Sequence, residues 1–268
     1  MRRRPPWNLV AGGLLLALVA GAALLSLVWV PHEANEMVVT ERLAPPSRAH
    51  PLGTDPFGRD LLSRVMVGAR TTLGVGLAVV LIGAGAGVAL GTLAGLGRGW
   101  TDEVLMRLID ALAAFPSALL ALMLVAVMGP GAVSTTLALG LAAVPAFARL
   151  TRSGLLSLRE SPLVEAARAV GAGPGRLFRH HLLPNLEPLL LVEASLTFAR
   201  AVVAEAGLSY LGLGIQPPWP SWGRMLREAQ SFIALSPYPA LAPGLAMVLT
   251  VLGLHLVGDG LRDRWTRR

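Results

Sequence analysis

The chain has 268 residues, 54% of them apolar and only 15% charged, with a mean hydropathy of +0.61. It is too oily for a soluble domain of this size and too patchy for a disordered one, which places it in a bilayer. All 23 basic residues are Arg. Without Lys there is no P-loop, whose lysine must reach the β/γ-phosphates, and no Schiff-base chemistry. Without Cys there is no disulfide framework, thiol nucleophile or thiolate metal site. A net charge of +7 could suit nucleic acid, but the arginines cluster beside apolar runs, which points to anionic lipid and membrane orientation instead.

A spanning helix needs ~20 mostly apolar residues. No charge falls between Pro5 and Val30, and Arg2-Arg3-Arg4 stand just before, so this is the first span with its basic end inside. A cleaved signal peptide is the rival reading, but its apolar core would be shorter, roughly 7–15 residues. The second uncharged run lies between Arg70 and Arg98 and carries Gly83, Gly87, Gly91 and Gly95 at four-residue spacing. They share one helix face and form a smooth ridge for close backbone packing, the contact that lipid does not weaken. A phosphate loop is excluded because Gly83, Gly85 and Gly87 follow no strand and open no helix.

Ala111 to Ala148 is uncharged for longer than one span requires, and Gly129-Pro130-Gly131 falls inside it. Two antiparallel spans follow, about 104–128 and 132–150, with Pro116 and Pro145 as kink positions. The fifth span, about 186–206, holds Glu193, Arg200 and Glu205, and the sixth covers about 239–257. The expected architecture is all-α, a polytopic membrane protein with six transmembrane helices. Fifteen arginines then lie at 2–4, 98, 107, 149–179 and 262–268, against seven at 31–70 and 207–237. The bias puts both termini and the loop at about 150–185 in the cytoplasm.

Inside that loop Ser161-Pro162 reads as a helix start, the hydroxyl capping free amides and the proline preset for the first turn. Glu165 suits the positive end of the helix dipole. Ala166 and Ala167 keep a face shallow enough for another protein, Gly171 ends the helix, and Gly173-Pro174 opens a second one running to Leu183-Pro184. Such a helix-turn-helix is either a handle that passes a partner's push to the adjoining spans or an interfacial helix lying on lipid headgroups. Residue chemistry leaves both open. Charges in the fifth span either mark a pathway or form an ion pair or snorkel. Arg200 lies five and seven residues from Glu205 and Glu193, away from the ideal three or four, and Glu205 is assigned to the external boundary. Gly207 to Gly223 reads as a rigid external segment facing a partner or an ordinary interfacial loop. His32, His50, His180, His181 and His255 are scattered, so no metal site is expected, and no Ser/His/acid trio emerges.

Four motifs resemble one family. Glu165-Ala166-Ala167-Arg168-Ala169-Val170-Gly171 followed by His181-Leu182-Leu183-Pro184 resembles the EAA-type loop of ABC importer permeases. The run His50-Pro51-Leu52-Gly53-Thr54-Asp55-Pro56-Phe57-Gly58-Arg59-Asp60 through Arg64 resembles the signature ahead of the second helix in dipeptide, oligopeptide and nickel importer permeases, in the second of their paired subunits. Glu205 to Gly214 with Pro220-Ser221-Trp222-Gly223, and Gly258 to Asp263, are similar to later segments of the same subfamily. The chain departs from the broad pattern at His181, at Gly175 and in its tail Trp265-Thr266-Arg267-Arg268.

The resemblance implies a type I ABC importer permease core (MetI-like) over 51–268, with an extra N-terminal helix in 1–50. It implies the permease subunit of an ATP-driven importer of peptides or a similar small solute such as nickel, in the cytoplasmic (inner) membrane. Its partners would be a second homologous permease, two ATP-binding subunits and an extracytoplasmic solute-binding protein. Glu165, Ala166, Ala167, Gly171, His181, Leu183 and Pro184 would couple to the ATPase. ATP and Mg would be bound by the partner subunits, leaving this chain without a cofactor and without enzymatic activity. The competing functions are a proton-coupled secondary carrier using Glu193, Arg200 and Glu205, and an intramembrane enzyme.

Overall fold

The computed structural model describes residues 7–97, 99–159, 161–169, 171 and 173–266. Arg2–Arg4, Arg98 and Arg267–Arg268, which enter the charge asymmetry above, lie outside the described residues, as does Val170 of the EAA-type motif. Ten α-helices follow in order: α1 (Trp7–Leu25), α2 (Leu61–Leu96), α3 (Trp100–Ala114), α4 (Ser117–Met128), α5 (Ala132–Arg159), α6 (Pro162–Ala169), α7 (Pro174–Leu177), α8 (Leu183–Tyr210), α9 (Trp222–Ala229) and α10 (Tyr238–Thr266). Among the described residues there is no strand, only one isolated bridge between Thr54 and Asp60.

Helix α2, about 54 Å long at 1.5 Å per residue, is the axis of the bundle. It starts where Asp60 accepts a 2.7 Å hydrogen bond from the Ser63 N–H, an N-cap that satisfies an orphan donor of the first turn. Its glycine ridge lies against α5. A Cβ on Gly83 would sit 2.7 Å from Ala143 Cβ, on Gly87 2.5 Å from Phe147 Cβ, on Gly91 2.4 Å from the Ala148 carbonyl and on Gly95 3.0 Å from Leu155 Cβ. Register rises together on both helices, so α2 and α5 run parallel, and the chain between them must travel back along the bundle.

That return is α3 plus α4, bent by 85° at Phe115-Pro116. The sequence suggested a kink within one helix, whereas the structure breaks it. Proline has no N–H and crowds the residue before it, which leaves Phe115 extended at φ −78°, ψ 130°. Pro145, in contrast, lies inside a continuous α5. Gly129, at φ +85°, ends α4 just before Pro130. A bidentate pair ties α3 to α5, with Arg152 Nε and Nη2 each 2.6 Å from an Asp102 oxygen.

The remaining directions follow from packing. Gly258 of α10 meets Ser195 of α8, while Ala246 shares a buried cluster with Val202, so α10 runs antiparallel to α8. Gly12 of α1 meets Gly253 and Gly260 of α10 meets Leu9, so α1 is antiparallel to α10. The chain therefore traverses the bundle six times, and the N-terminal end of α1, the C-terminal end of α10 and the 160–184 loop share one end. Four of these helices are long and apolar enough to cross a membrane by themselves, and the bent pair adds a fifth when its two pieces are counted as one span. The sixth, α8, is 28 residues long but holds Glu187, Glu193, Arg200 and Glu205.

Helix limits exceed the charge-free runs used to place the spans. Helix α2 begins nine residues before Arg70, and α10 continues past Val257 to Thr266. Charge marks where a helix leaves hydrocarbon, and hydrogen bonding continues beyond that point. Outward faces are apolar: Leu241, Leu245, Val248 and Leu252 of α10 and Leu119, Met123 and Val127 of α4 are all exposed at helical spacing. Exposed stripes of that size need a non-aqueous neighbour.

Candidate functional site

At one end of the bundle the loop after α5 folds on a small core of its own, made of Leu155, Val164, Ala167, Leu177, Leu182 and Leu186. Val164 and Ala167 stand three apart on α6 and point inward together. Ala167 is 7% exposed, so it seats the helix and does not form part of the shallow outer face assigned to it above. That face consists of Glu165, Ala166, Ala169 and Gly171, all exposed. Glu165 makes no side-chain hydrogen bond or ion pair among the described residues.

Ser161 opens α6 differently from the expected cap. Its hydroxyl donates 2.6 Å back to the Leu158 carbonyl, and its carbonyl accepts from Val164 and Glu165. Gly171 has φ +80°, the left-handed conformation that glycine adopts after a helix end. Helix α7 is a single turn and does not stop at Leu183-Pro184. It passes into a π-turn over Phe178–Leu182, where the Leu183 N–H reaches the Phe178 carbonyl, and continues as α8. His181 lies in that turn, half-buried, and its carbonyl accepts from Asn185 Nδ2 at 2.6 Å. Leu183 is half-buried and Pro184 exposed. The loop is thus continuous in backbone with the full length of α8.

Two different polar sites lie along α8. Arg200 pairs with Glu193 seven residues earlier, and Thr197 joins them: its hydroxyl donates to Glu193 Oε1 at 3.1 Å and accepts from Arg200 Nη2 at 2.9 Å. The unfavourable spacing is overcome because Arg is long and a hydroxyl bridges the gap. The pair is intrahelical and Arg200 is 61% exposed. Glu205 does not join it. Its side chain is fully buried between α8, α2 and the start of α9, accepting from Ser209 Oγ at 2.6 Å and from Thr72 Oγ1 at 3.3 Å.

The other end of the bundle is closed by the segment 26–60, a strap without regular structure beyond one short turn, and by α9. Here the His50–Arg64 signature folds into a buried ionic cluster with α9. Asp55 holds Arg59 Nε at 2.6 Å, and Glu228 holds Arg59 at 2.5 Å, Arg64 at 3.0 Å and Arg224 at 2.8 Å. Arg64 is 1% exposed. No sequence signal pointed to Glu228, which lies 164 residues from Arg64. The histidines are less scattered than their numbering suggests: His32 and His50 stack with ring centroids 4.5 Å apart beside Asp60. His180, His181 and His255 lie elsewhere.

The description "Binding-protein-dependent transport system inner membrane component" matches residues 87–268. The chain belongs to this family of inner-membrane transport components. This permease is 42% identical over 255 residues to the glutathione transport system permease protein GsiD of Pectobacterium atrosepticum, covering 95% of this chain and 85% of that one. It is 43% identical over 224 residues to the dipeptide transport system permease protein DppC of Alkalihalophilus pseudofirmus (84% and 74%). It is 42% identical over 259 residues to the di/tripeptide transport system permease protein DppC of Pseudomonas aeruginosa (94% and 86%). Its fold is similar to inward-facing structures of the MetNI methionine ABC transporter, with TM-scores of 0.59 and 0.62 at 22% identity. Those alignments cover 75% and 76% of the permease and 93% and 95% of the matched chains. The type I importer permease core is therefore its fold and ABC import its role, and the secondary-carrier reading falls.

Proposed function

We propose that this permease is one of two membrane subunits of an ATP-driven importer of peptides or a chemically similar small solute, with both termini and the 160–184 loop in the cytoplasm. Glutathione, dipeptides and di/tripeptides are the cargoes named for its relatives. Two ATP-binding subunits, carrying the ATP and Mg, would press on the loop, a second permease would complete the pathway, and an extracytoplasmic binding protein would deliver solute to the strap end. The observation that carries this reading is the form of the loop. One face is fastened to its own core by Val164 and Ala167, the other offers Glu165, Ala166 and Gly171, and the backbone runs without interruption into α8. Force applied at such a seat turns α8 as a rigid body. The Glu193–Thr197–Arg200 group, exposed at Arg200, fits a watery pathway or the second permease, because a lipid-facing Arg in mid-span is costly.

The absence of cysteine makes the test clean. In the assembled transporter, Ala166→Cys is expected to cross-link to an ATP-binding subunit. Glu165→Arg is expected to abolish uptake of a dipeptide, a tripeptide and glutathione while the helices still insert. Labelling of the cysteine only from outside the cell, or unchanged uptake in Glu165→Arg, would overturn the assignment.

A further inference from the structure

We propose that His32, His50 and Asp60 form a divalent-cation site that clips the strap to the start of α2, with Glu41 orienting one ligand. The geometry is short of positive charge. His50 Nδ1 lies 2.9 Å from Asp60 Oδ1, and His50 Nε2 lies 3.0 Å from Glu41 Oε2. A neutral imidazole has one N–H. With Nε2–H donated to Glu41, the Nδ1 lone pair meets a carboxylate oxygen, a contact that a proton or a metal ion bound by both atoms must relieve. His32 Nδ1 points to the same Oδ1 from 3.8 Å, is buried, and has no hydrogen-bond partner.

The three donor atoms lie within 4.8 Å of one another. Tetrahedral zinc, with ligands ~2.0–2.1 Å away, separates its donor atoms by ~3.3 Å, so shifts of ~1 Å or less would seat it. The supports are already in place. Asp60 Oδ2 is held by the Ser63 N–H and hydroxyl at 2.7 Å each, which leaves Oδ1 for the ion, and the His32 N–H donates 3.0 Å to Ser63 Oγ. Glu41 on the far nitrogen of His50 is the second-sphere carboxylate that fixes the tautomer and raises ligand basicity. The carboxylates of Asp60 and Glu41 set negative charge around the donor atoms, which favours a dication. Two imidazoles and one carboxylate suit zinc, nickel or cobalt, whereas calcium and magnesium take oxygen sets. With three protein donors, the fourth tetrahedral position is left for water.

The test uses the intact transporter, stripped of metal by a chelator and titrated calorimetrically with Zn2+, with thermal unfolding in parallel. Saturable binding of one equivalent at this chain and a rise in Tm are expected. His32→Ala removes no side-chain hydrogen bond, so it should fold as wild type yet bind at least about tenfold more weakly, and Glu41→Gln should weaken binding by about 10–100-fold. Replacing His180 and His181 together, far from this cluster, should leave the Zn2+ affinity unaltered. Absence of saturable binding, affinity unaltered in His32→Ala, or loss only in the His180/His181 variant would overturn the site and leave a proton as the bridging charge.

Discussion

The two ends of the bundle solve opposite problems. At the strap end the central charges are paired: three guanidiniums, Arg59, Arg64 and Arg224, converge on Asp55 and Glu228, with Arg59 and Arg64 buried. At the loop end the outward residues are an acid without a partner among the described residues, an alanine face and a glycine in a left-handed turn. The first end is finished by its own chain. On the proposed function the second is finished by another protein. In a machine that must be pushed from one side, that division keeps the moving contact shallow and the far end coherent.

Breaking the finished end should have the largest effect. Glu228→Ala leaves three arginines with the single carboxylate of Asp55. Removing one partner of a buried pair costs about 3–5 kcal/mol because the remaining charge stays desolvated. The expected result is a severe loss of thermal stability in detergent, read by size-exclusion profile after heating, together with failure to assemble. If Glu228→Ala heats like the wild type, the cluster is more hydrated than its burial implies.

Next comes the parallel pair that joins the two ends. Gly87→Leu would drive a side chain into Phe147 and the Val144 carbonyl, whose positions lie 2.5 and 2.7 Å from a Cβ there. Overpacking of this kind costs about 1–3 kcal/mol or more. Gly85→Leu, on a face where a Cβ meets nothing within 4 Å, serves as the control and should be neutral. Equal melting of both variants would mean that the ridge is not a packing surface.

Much of this was readable in the sequence because it depends on neighbours. The Gly129-Pro130-Gly131 break, the four-residue glycine spacing and the left-handed Gly171 follow from local backbone rules, and the four motifs supplied the family. What escaped depended on distance or degree. Pro116 gives the same local signal whether it kinks or breaks, and tertiary packing selected the 85° bend. Ala166 and Ala167 look alike until the helix has a core to face. The burial of Glu205 was hidden because its hydroxyl partner Thr72 is 133 residues away, and Glu228 was hidden by a separation of 164 residues from Arg64.

The unfinished end predicts smaller changes in stability with larger ones in function. Gly171→Val forces a β-branched residue to φ +80°, a strain of about 1–2 kcal/mol, but its Cβ would meet nothing within 4 Å. The cost should fall on the turn alone. The bundle should melt within a few degrees of the wild type, while ATP hydrolysis in the assembled transporter loses its dependence on the binding protein. A variant that melts early and couples normally would show the turn to be structural.

Arg200→Ala should alter stability least. Its pair with Glu193 is exposed on the Arg side, and exposed pairs contribute about 0–1 kcal/mol. Thr197 still donates to Glu193, so the acid keeps a partner. If the group lines a watery pathway, uptake of a charged peptide should change relative to a neutral one of equal length, with melting unaltered. If it meets the second permease, both peptides should slow together and co-purification of the two subunits should weaken. The ratio of the two uptake rates separates these cases, because a pathway residue discriminates between cargoes by charge and an interface residue affects them equally.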